Sequence, residues 1–491
     1  MTHAVLVVGG GPAGLAAAAA ALDAGASVTL LDSGRDVGGQ YWRHLPTERS
    51  GEHESLLHHG WERFAALRAD VTARATVLLE GQVWSIQPDR DAPGGLAVDI
   101  ATGPADGIDG EPHRFRPDAI VLATGAHDRT LPFPGWELPG VFTGGAAQAL
   151  AKSERIRIGE HVVVAGAGPF LLPVAASVAE TGARVAGVFE ANRIPALTRG
   201  WLPRPWELVG AAGKGRELAG YVGAFARHRI PYRLGAAVVA AHGEEHVESV
   251  TITDVAADWS PIAGSERTIA ADAVCVTHGF TPRIELAIAA GCAIDRGFVT
   301  VDDRQRTSVR GVYAAGEITG IGGVDKALAE GTIAGHAAAG WPPDAPRSLR
   351  AALRRRATAA GFAKRLEAAH GIRSGWHSWL RDDTLVCRCE EVSYGAVRRT
   401  AAATSAEGLR SLKLATRAGL GACQGRMCGR SLEELAARLS PSGALRDAGH
   451  GPGRGASTDR RPIVTPQRLG DLARLASPPP PSDGLPRTTT N

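Results

Sequence analysis

The sequence has few aromatic residues, cysteines, methionines and lysines. Aromatic side chains make up 5% of it, there are 6 cysteines and 2 methionines, and the only lysines are Lys152, Lys214, Lys326, Lys364 and Lys413. Six cysteines in 491 residues cannot form the dense disulfide framework by which small secreted domains replace a hydrophobic core. Lys plus Arg is 54 against 51 for Asp plus Glu, a formal charge of +3, so the one-signed footprint of a nucleic-acid binder is missing. No stretch reaches the ~20 continuous apolar residues of a membrane helix. A basic flank and a small-residue cleavage site are also missing at the N-terminus, where a buried-strand pattern, Ala4 to Val8, begins almost at once. These absences predict a soluble cytoplasmic protein that binds no nucleic acid and has no transmembrane segment.

Glycine is abundant, at 62 residues. It alone adopts positive φ cheaply and lets a ligand approach the backbone, so an excess suits tight turns and binding loops. The every-third-residue spacing of collagen does not occur. Length alone suggests several domains of roughly 100–200 residues each.

The first glycine cluster is specific. Val5–Val8 runs into Gly9-Gly10-Gly11-Pro12-Ala13-Gly14 and then an alanine-rich segment, which is G-x-G-x-x-G between a strand and a helix. Gly9 permits the turn, Gly11 admits a pyrophosphate to the backbone, and Gly14 lets helix and strand pack closely. The helix N-terminus adds free N–H groups and a favourable dipole for phosphate. A second strand, Ser27–Leu31, ends at Asp32, where an acid would hold ribose hydroxyls.

Three further segments join this motif: Gly38-Gly39-Gln40-Tyr41-Trp42-Arg43, Ala123-Thr124-Gly125 after the strand Ala119–Leu122, and Gly311-Val312-Tyr313-Ala314-Ala315-Gly316-Glu317 preceded by Thr307. Together they resemble the two-dinucleotide-binding-domain flavoproteins, which include thioredoxin and ferredoxin reductases. The resemblance implies FAD held by Gly9, Gly11, Pro12, Ala13, Gly14, Asp32, Gly39, Gln40, Val83, Thr124, Gly125, Gly316 and Glu317. At the last position the family usually has Asp, so the ribityl contact rests on a longer acid here.

A second strand–turn–helix follows, His161-Val162-Val163-Val164-Ala165-Gly166-Ala167-Gly168-Pro169-Phe170-Leu171, and the strand Arg184–Phe189 then ends at Glu190. The resemblance implies an NAD(P) domain inserted into the FAD domain, bound through Gly166, Gly168 and Glu190. Leu171 stands where the third glycine belongs and should push the helix off the strand. Pro169 removes an N–H from the phosphate turn. Two readings stay open: a fold that no longer binds NAD, or one that takes NAD or another adenine nucleotide. Glu190 would repel a 2′-phosphate and so favour NAD over NADP. The Cys-x-x-Cys pair of a disulfide reductase is absent, and Cys275 and Cys292 lie in apolar contexts that suit buried, inert thiols.

The other four cysteines cluster as Cys387-Arg388-Cys389 and Cys423-Gln424-Gly425-Arg426-Met427-Cys428. Four thiolates are the usual ligand set of a [2Fe–2S] cluster. If the backbone is extended there, Cys387 and Cys389 face one way and can share an iron. Zinc is the alternative, although closed zinc sites favour Cys-x-x-Cys knuckles. The pattern around Cys387-Arg388-Cys389-Glu390-Glu391-Val392 and Thr416-Arg417-Ala418-Gly419-Leu420-Gly421-Ala422-Cys423 resembles the [2Fe–2S] domain of bacterioferritin-associated ferredoxin. That resemblance implies Cys387, Cys389, Cys423 and Cys428 as the metal ligands.

The expected fold is α/β, with two Rossmann-like FAD/NAD(P)-binding domains of the glutathione- and thioredoxin-reductase type and a small helical C-terminal [2Fe–2S] domain. The expected boundaries are 1–154 and 276–345 for the FAD domain, 155–275 for the NAD(P)-like insertion, 346–383 for a helical linker, 384–438 for the iron–sulfur domain and 439–491 for a Pro/Gly/Ser-rich tail. Within the linker, Leu349, Leu353, Phe362 and Leu366 have helical spacing, and Trp376 and Trp379 should anchor it. Arg461-Pro462-Ile463-Val464 suits a docked extended strand. This order, with Pro132-Phe133-Pro134-Gly135-Trp136 and Gly322-Gly323, resembles the large flavoprotein subunit of heteromeric amino-acid and opine dehydrogenases. That group includes the B-type component of hydrogen cyanide synthase, the A-type components of octopine and nopaline oxidases, and the alpha component of D-hydroxyproline dehydrogenase.

The resemblance implies an electron-transfer role: a D-amino-acid-oxidase-like flavoprotein partner oxidises the amine, and FAD and [2Fe–2S] here pass the electrons on. It also leaves room for a small ferredoxin-like subunit, an FMN at a subunit interface, and attachment to the inner membrane through partners. No substrate-handling acid–base set is legible, and none emerges between Trp201 and Arg233. The competing functions are a self-sufficient NAD(P)H-dependent FAD reductase with an iron–sulfur acceptor, and a structural subunit with vestigial cofactors.

Overall fold

The computed structural model describes residues 3–46, 49, 54, 58–103, 110–203, 212–404, 409–439 and 463–476. A five-stranded parallel sheet forms the first Rossmann unit, in the order Val312–Ala314, Ala119–Leu122, Ala4–Val8, Ser27–Leu31, Thr76–Leu78. Strands covered on both faces must be apolar throughout rather than alternating, and Val5 to Val8 and Ala119 to Leu122 are buried without exception. The helix Pro12–Asp23 packs on Val324–Ala338, so the motif at residue 9 and the one at residue 316 meet across one helix pair. An antiparallel meander, Gly81–Pro88, Leu96–Thr102 and Glu111–Phe115, flanks this unit.

The second unit repeats the design. Its parallel sheet runs Tyr232–Leu234, Arg184–Glu190, His161–Gly166, Ala273–Thr277, Val141–Thr143. A second meander, Ala236–His242, Ser249–Asp254 and Arg267–Ala270, covers one side of it. The linker forms a helix, Arg347–His370, with Leu349 buried against Ile333. A short 3₁₀ segment, Ser374–Trp379, follows and places Trp376 and Trp379 in the same core as Trp259 and Leu131. The C-terminal domain adds a two-stranded ribbon, Leu385–Cys387 with Val392–Ser393, and helices Tyr394–Thr404, Leu409–Thr416 and Gly429–Leu439. Val397, Leu412, Leu432 and Leu435 from this domain join the tryptophan core, so the two are fused by buried apolar surface.

The expected strand at Arg461–Val464 takes a different form. Arg461 and Pro462 lie outside the described residues. Val464 is buried in a bend, its N–H donating to Trp84 O at 2.8 Å and its carbonyl accepting from Arg426 at 2.8 Å. One residue bonded on both sides replaces a ladder. Most of the expected tail, including its proline run, lies outside the described residues.

Candidate redox site

The glycine turn after the first strand is built by exclusion. A Cβ on Gly14 would stand 1.7 Å from Gly9 O, and one on Gly9 (φ +107°) would stand 2.3 Å from Ala123 O. Helix, turn and the Ala123-Thr124-Gly125 segment therefore touch backbone to backbone. The loop at residue 39 closes on the same turn, where Gly38 N–H donates to Gly10 O at 2.8 Å and a Cβ on Gly39 would meet Gly11 Cα at 2.8 Å. Gly316 completes the ring, since its Cβ would meet that of Ala13 at 2.9 Å. Asp32 is half-buried at the strand end and accepts from Gly10 N–H at 2.5 Å and Gly34 N–H at 2.7 Å. Gly81 N–H bonds Asp32 O at 2.9 Å, which brings Val83, buried on the next strand, to the same end of the fold. Of the residues expected for FAD, Gly9, Gly11, Pro12, Ala13, Gly14, Asp32, Gly39, Thr124 and Gly316 lie around this one turn, and amides at a helix start with an acid at the end of the next strand are a donor set that fits a dinucleotide.

Glu317 takes a particular position. Its carboxylate accepts from Gly322 N–H at 3.1 Å and Gly323 N–H at 2.8 Å, capping the helix Val324–Ala338. Burial raises its pKa, against the pull of Lys326 and the two amides. The turn at Gly316 is fixed by residues that sequence patterns did not single out. Glu330 accepts from Gly316 N–H at 2.9 Å and from the Thr319 hydroxyl at 2.6 Å, and pairs with buried Lys326 at 2.8 Å. The i, i+4 spacing of Lys326 and Glu330 on the following helix was the available signal.

The second glycine turn differs from the first in where its helix begins. The helix starts at Leu171 rather than at the position matching Pro12, two residues later than in the first motif. In between, Leu171 and Leu172 N–H make i→i+3 bonds to Gly168 and Pro169, so amides that would face a phosphate are turned inward. Glu190 is wholly buried and already committed. It accepts from Gly168 N–H at 2.8 Å, Asn192 N–H at 3.2 Å and Asn192 Nδ2 at 2.8 Å. The C-terminus of the linker helix sits on the same spot: His370 Nδ1 is 3.5 Å from Glu190 Oε2, and its Nε2 accepts from Trp201 Nε1 at 3.2 Å. Gly200 lies so close to Ala369 that a Cβ there would be 2.5 Å from the alanine methyl.

The four late cysteines come together in a chain of three contacts, with Cys428 bonded to both Cys387 and Cys423 and Cys423 also bonded to Cys389. Cys387 and Cys428 sulfurs are 3.7 Å apart, and Cys389 and Cys423 are hydrogen-bonded partners. The extended backbone expected from Cys387 to Cys389 is not formed, because the chain leaves the strand at Cys387 and turns through Arg388 and Cys389. Cys428 and the amides of Gly419 and Glu390 hold the Cys387 thiol down to about 6; Cys428 and the amides of Met427 and Gly425, with Cys389, hold Cys423 down to about 4. Cys428 is shifted the other way, up, by its bonds to Cys387 and Cys423, and Cys389 is also raised; four thiols gathered in one place are the ligand set that a [2Fe–2S] cluster takes. Among the described residues no three His, Cys, Asp or Glu side chains converge on a single-ion site; the four sulfurs run instead as one chain of neighbours, Cys387, Cys428, Cys423 and Cys389. A Cβ on Gly421 would fall 2.3 Å from Cys389 Cβ, so the loop passes the ligand at a distance only glycine allows. Cys275 and Cys292 are buried thiols with raised pKa, as their contexts suggest.

The cluster loop is bonded directly to the flavin domain. His127, two residues past Gly125, lies 3.0 Å from Arg426 O. The Thr130 hydroxyl donates to Met427 O at 2.8 Å, Ser431 to Thr130 O at 2.8 Å, and Arg129 to Glu434 at 2.8 Å. Glu285 lies 3.4 Å from Arg426 Nε, and Trp136 Nε1 donates to Leu385 O at 2.6 Å. Trp136, Arg426 and Met427 lie in stretches the sequence singles out, but His127, Arg129, Thr130, Glu285, Ser431 and Glu434 carry no motif signature, and only the proximity of His127 to Gly125 in the chain hinted at the contact.

Known proteins place this architecture. Over residues 3–331 the chain matches the pyridine nucleotide-disulphide oxidoreductase family, and over residues 385–438 the BFD-like [2Fe-2S] binding domain. It belongs to that oxidoreductase family, as an FAD-dependent oxidoreductase carrying a [2Fe–2S] domain. Within it, the A-type subunit of opine oxidase from Agrobacterium tumefaciens (strain Ach5) is 31% identical over 96% of this chain and 91% of its own. The HcnB subunit of hydrogen cyanide synthase from Pseudomonas protegens is 31% identical over 86% of this chain and 89% of its own. L-proline dehydrogenase from P. horikoshii shares the fold, with a TM-score of 0.62 at 19% identity over 96% of this chain and 80% of that one. No helix among the described residues is long and apolar enough to cross a membrane.

Proposed function

We propose that this chain is the electron-transfer subunit of a heteromeric amino-acid or opine dehydrogenase. The observation that carries the reading is the bonding of the cysteine loop to the strand Ala126–Asp128, directly after the flavin motif. FAD would be held by the cradle of Gly9, Gly11, Pro12, Ala13, Gly14, Asp32, Gly39, Gln40, Val83, Thr124, Gly125, Gly316 and Glu317, and the cluster by Cys387, Cys389, Cys423 and Cys428. When bound, FAD supplies two-electron chemistry and [2Fe–2S] one-electron chemistry; the chain positions them and fixes their distance. Cys387 and Cys428 are buried, while Cys389 is exposed, which leaves one edge of the cluster facing outward for an acceptor.

Relatives named as subunits support an assembly. In it a D-amino-acid-oxidase-like flavoprotein delivers the electrons, with room for a small ferredoxin-like subunit and an interfacial FMN. We assign the complex to the cytoplasm, against the inner membrane through partners, and keep the domain division at 154, 275, 345, 383 and 438. The alternative, a self-sufficient NADH reductase, meets the closed second turn: Glu190 is buried and bonded, and His370 packs 3.5 Å from it. The test is cofactor analysis followed by reconstitution. The reading expects FAD plus about two irons per chain, little amine turnover by the chain alone, and turnover restored by the partner flavoprotein. A colourless chain, or full turnover without a partner, contradicts it.

A further inference from the structure

The segment that carries Cys387 and Cys389 is tied to the closed glycine turn of the second Rossmann unit. The 3₁₀ segment Ser374–Trp379 leads into the strand Leu385–Cys387, and Trp379 Nε1 donates to Trp259 O at 3.0 Å. Trp259 Nε1 donates in turn to Asn192 Oδ1 at 3.2 Å, and Asn192 Nδ2 donates to Glu190 Oε1 at 2.8 Å. The run ends on the glycine turn, where Gly168 N–H donates to Glu190 Oε2 at 2.8 Å. All four side chains are buried. The two indoles lie nearly parallel, at 14° with 6.3 Å between centroids. Beside them Gly375 N–H donates to Asp258 O at 2.7 Å, and a Cβ on Gly375 would stand 2.3 Å from that oxygen. The acid expected to hold a ribose is thus linked by hydrogen bonds to the approach of the first cluster cysteine.

A second support reaches the same strand from the same unit. Trp136 Nε1 donates to Leu385 O at 2.6 Å, and Arg388, between the two cysteines, donates to Glu137 O at 3.1 Å. Trp136 packs in one core with Val163 and Ala165 of the second parallel sheet, and Ala241 N–H donates to Pro134 O at 2.8 Å. The other two cysteines are held elsewhere. Their loop bonds through Arg426 and Met427 to His127 and Thr130. His127 belongs to the ribbon of Ala126–Asp128 with Phe280–Pro282, by which the chain enters and leaves the second unit. The four thiols are therefore carried in two halves, Cys387 and Cys389 by the second Rossmann unit, Cys423 and Cys428 by the connection between the units.

We propose that the second Rossmann unit works as the mount for the Cys387 and Cys389 half of the cluster ligands, with Asn192 as the positioning residue that ties Glu190 to Trp259. The parts of a nucleotide site serve this purpose. The turn amide and the acid at the strand end bond each other, and the acid holds the Asn192 side chain where ribose hydroxyls would otherwise lie. A buried polar run in which each member is bonded is rigid, and a ligand set keeps its geometry only on such a support. This inference rests on the cluster assignment of the proposed function and is independent of substrate and partner.

The test compares the full holoprotein with Asn192→Leu, Trp379→Phe and a control, Asp272→Ala. The control removes bonds to the Glu160 and His161 amides at the opposite end of the same sheet. Asn192→Leu leaves buried polar groups without partners, and iron release to excess chelator is expected to run about tenfold faster, with FAD retained. The electron paramagnetic resonance spectrum of the dithionite-reduced cluster changes in Asn192→Leu and Trp379→Phe and stays as wild type in Asp272→Ala. An Asn192→Leu chain that keeps FAD but takes up no iron gives the same answer, provided Asp272→Ala keeps its iron. Trp379→Phe carries the test if Asn192→Leu loses FAD. Wild-type release and spectrum in an iron-loaded variant, or equal acceleration in Asp272→Ala, overturns the proposal. A wild-type chain without iron overturns the cluster assignment itself, and this inference with it.

Discussion

The ring nitrogen Nε2 of His127 lies 3.0 Å from the carbonyl oxygen of Arg426, which joins the flavin domain to the loop between two cluster cysteines. Burial keeps the His127 pKa below its usual value, outweighing the bond to Arg426, so the ring is neutral. A carbonyl only accepts, and Nε2 is therefore the protonated nitrogen. Replacing it with Ala leaves a shielded carbonyl without a partner, a cost of about 1–3 kcal/mol. We expect His127→Ala to keep FAD and iron but to lower the denaturant midpoint of the C-terminal domain, measured by limited proteolysis and urea unfolding. Unchanged midpoints would mean that this bond does not hold the two units together.

Gly421 should be intolerant of any side chain. A methyl group there falls 2.3 Å from Cys389 Cβ, and the loop must move away from the ligand to admit it. Gly421→Ala is expected to lose most of its iron while retaining FAD, read by iron analysis and flavin absorbance on the same sample. Iron content equal to wild type contradicts the loop geometry.

The second glycine turn should reject adenine nucleotides. Its acid is buried in bonds to Gly168 and Asn192, and His370 covers it from the linker helix. Calorimetric titration with NAD or ATP is expected to show no binding to the full chain. Trp201→Ala with His370→Gly should open the position and allow weak binding. Tight binding by the wild type refutes the closure.

Stability should fall on the acid side. Burial pushes His278 down to about 3, with Arg129 adding to it, and His377 down to about 4, with Arg438 adding to it. Each is neutral in the folded protein but takes up a proton near pH 6.5 once unfolded. Their contribution is therefore intact above about pH 6.5 and is lost as pH falls toward the folded values, at up to about 1.4 kcal/mol per pH unit for fully buried His278. His377 is partly exposed and contributes less. Urea midpoints of wild type and His278→Phe, compared between pH 7 and 5, should converge or reverse as acid is added; parallel curves would contradict this.

The legible parts of the site were those written in local spacing. Gly9 to Gly14, Ala123 to Gly125 and the four cysteines announce themselves because turns and ligand loops constrain neighbouring residues. Leu171 broke the glycine pattern, and the helix there starts two residues later than in the first motif, although Leu171 still packs on the strand. What stayed hidden is made by contacts far apart in the chain. His370 reaches Glu190 across 180 positions, and His127 reaches Arg426 across 299. The helix Ala212–His228 gave no substrate code, yet its Lys214, Glu217 and Tyr221 bond one another, and Lys214 reaches Asp325 of the flavin unit. The extended backbone expected from Cys387 to Cys389 is not formed because the chain turns after Cys387, which strand propensity alone does not reveal.

The most direct test of the account is anaerobic reduction of the complex purified with its native partners, followed at the flavin band. Samples are mixed separately with a panel of amino acids and opines and with NADH. The account predicts bleaching by at least one amine, dependent on the partner flavoprotein, and none by NADH. Bleaching by NADH with no response to any amine would contradict it.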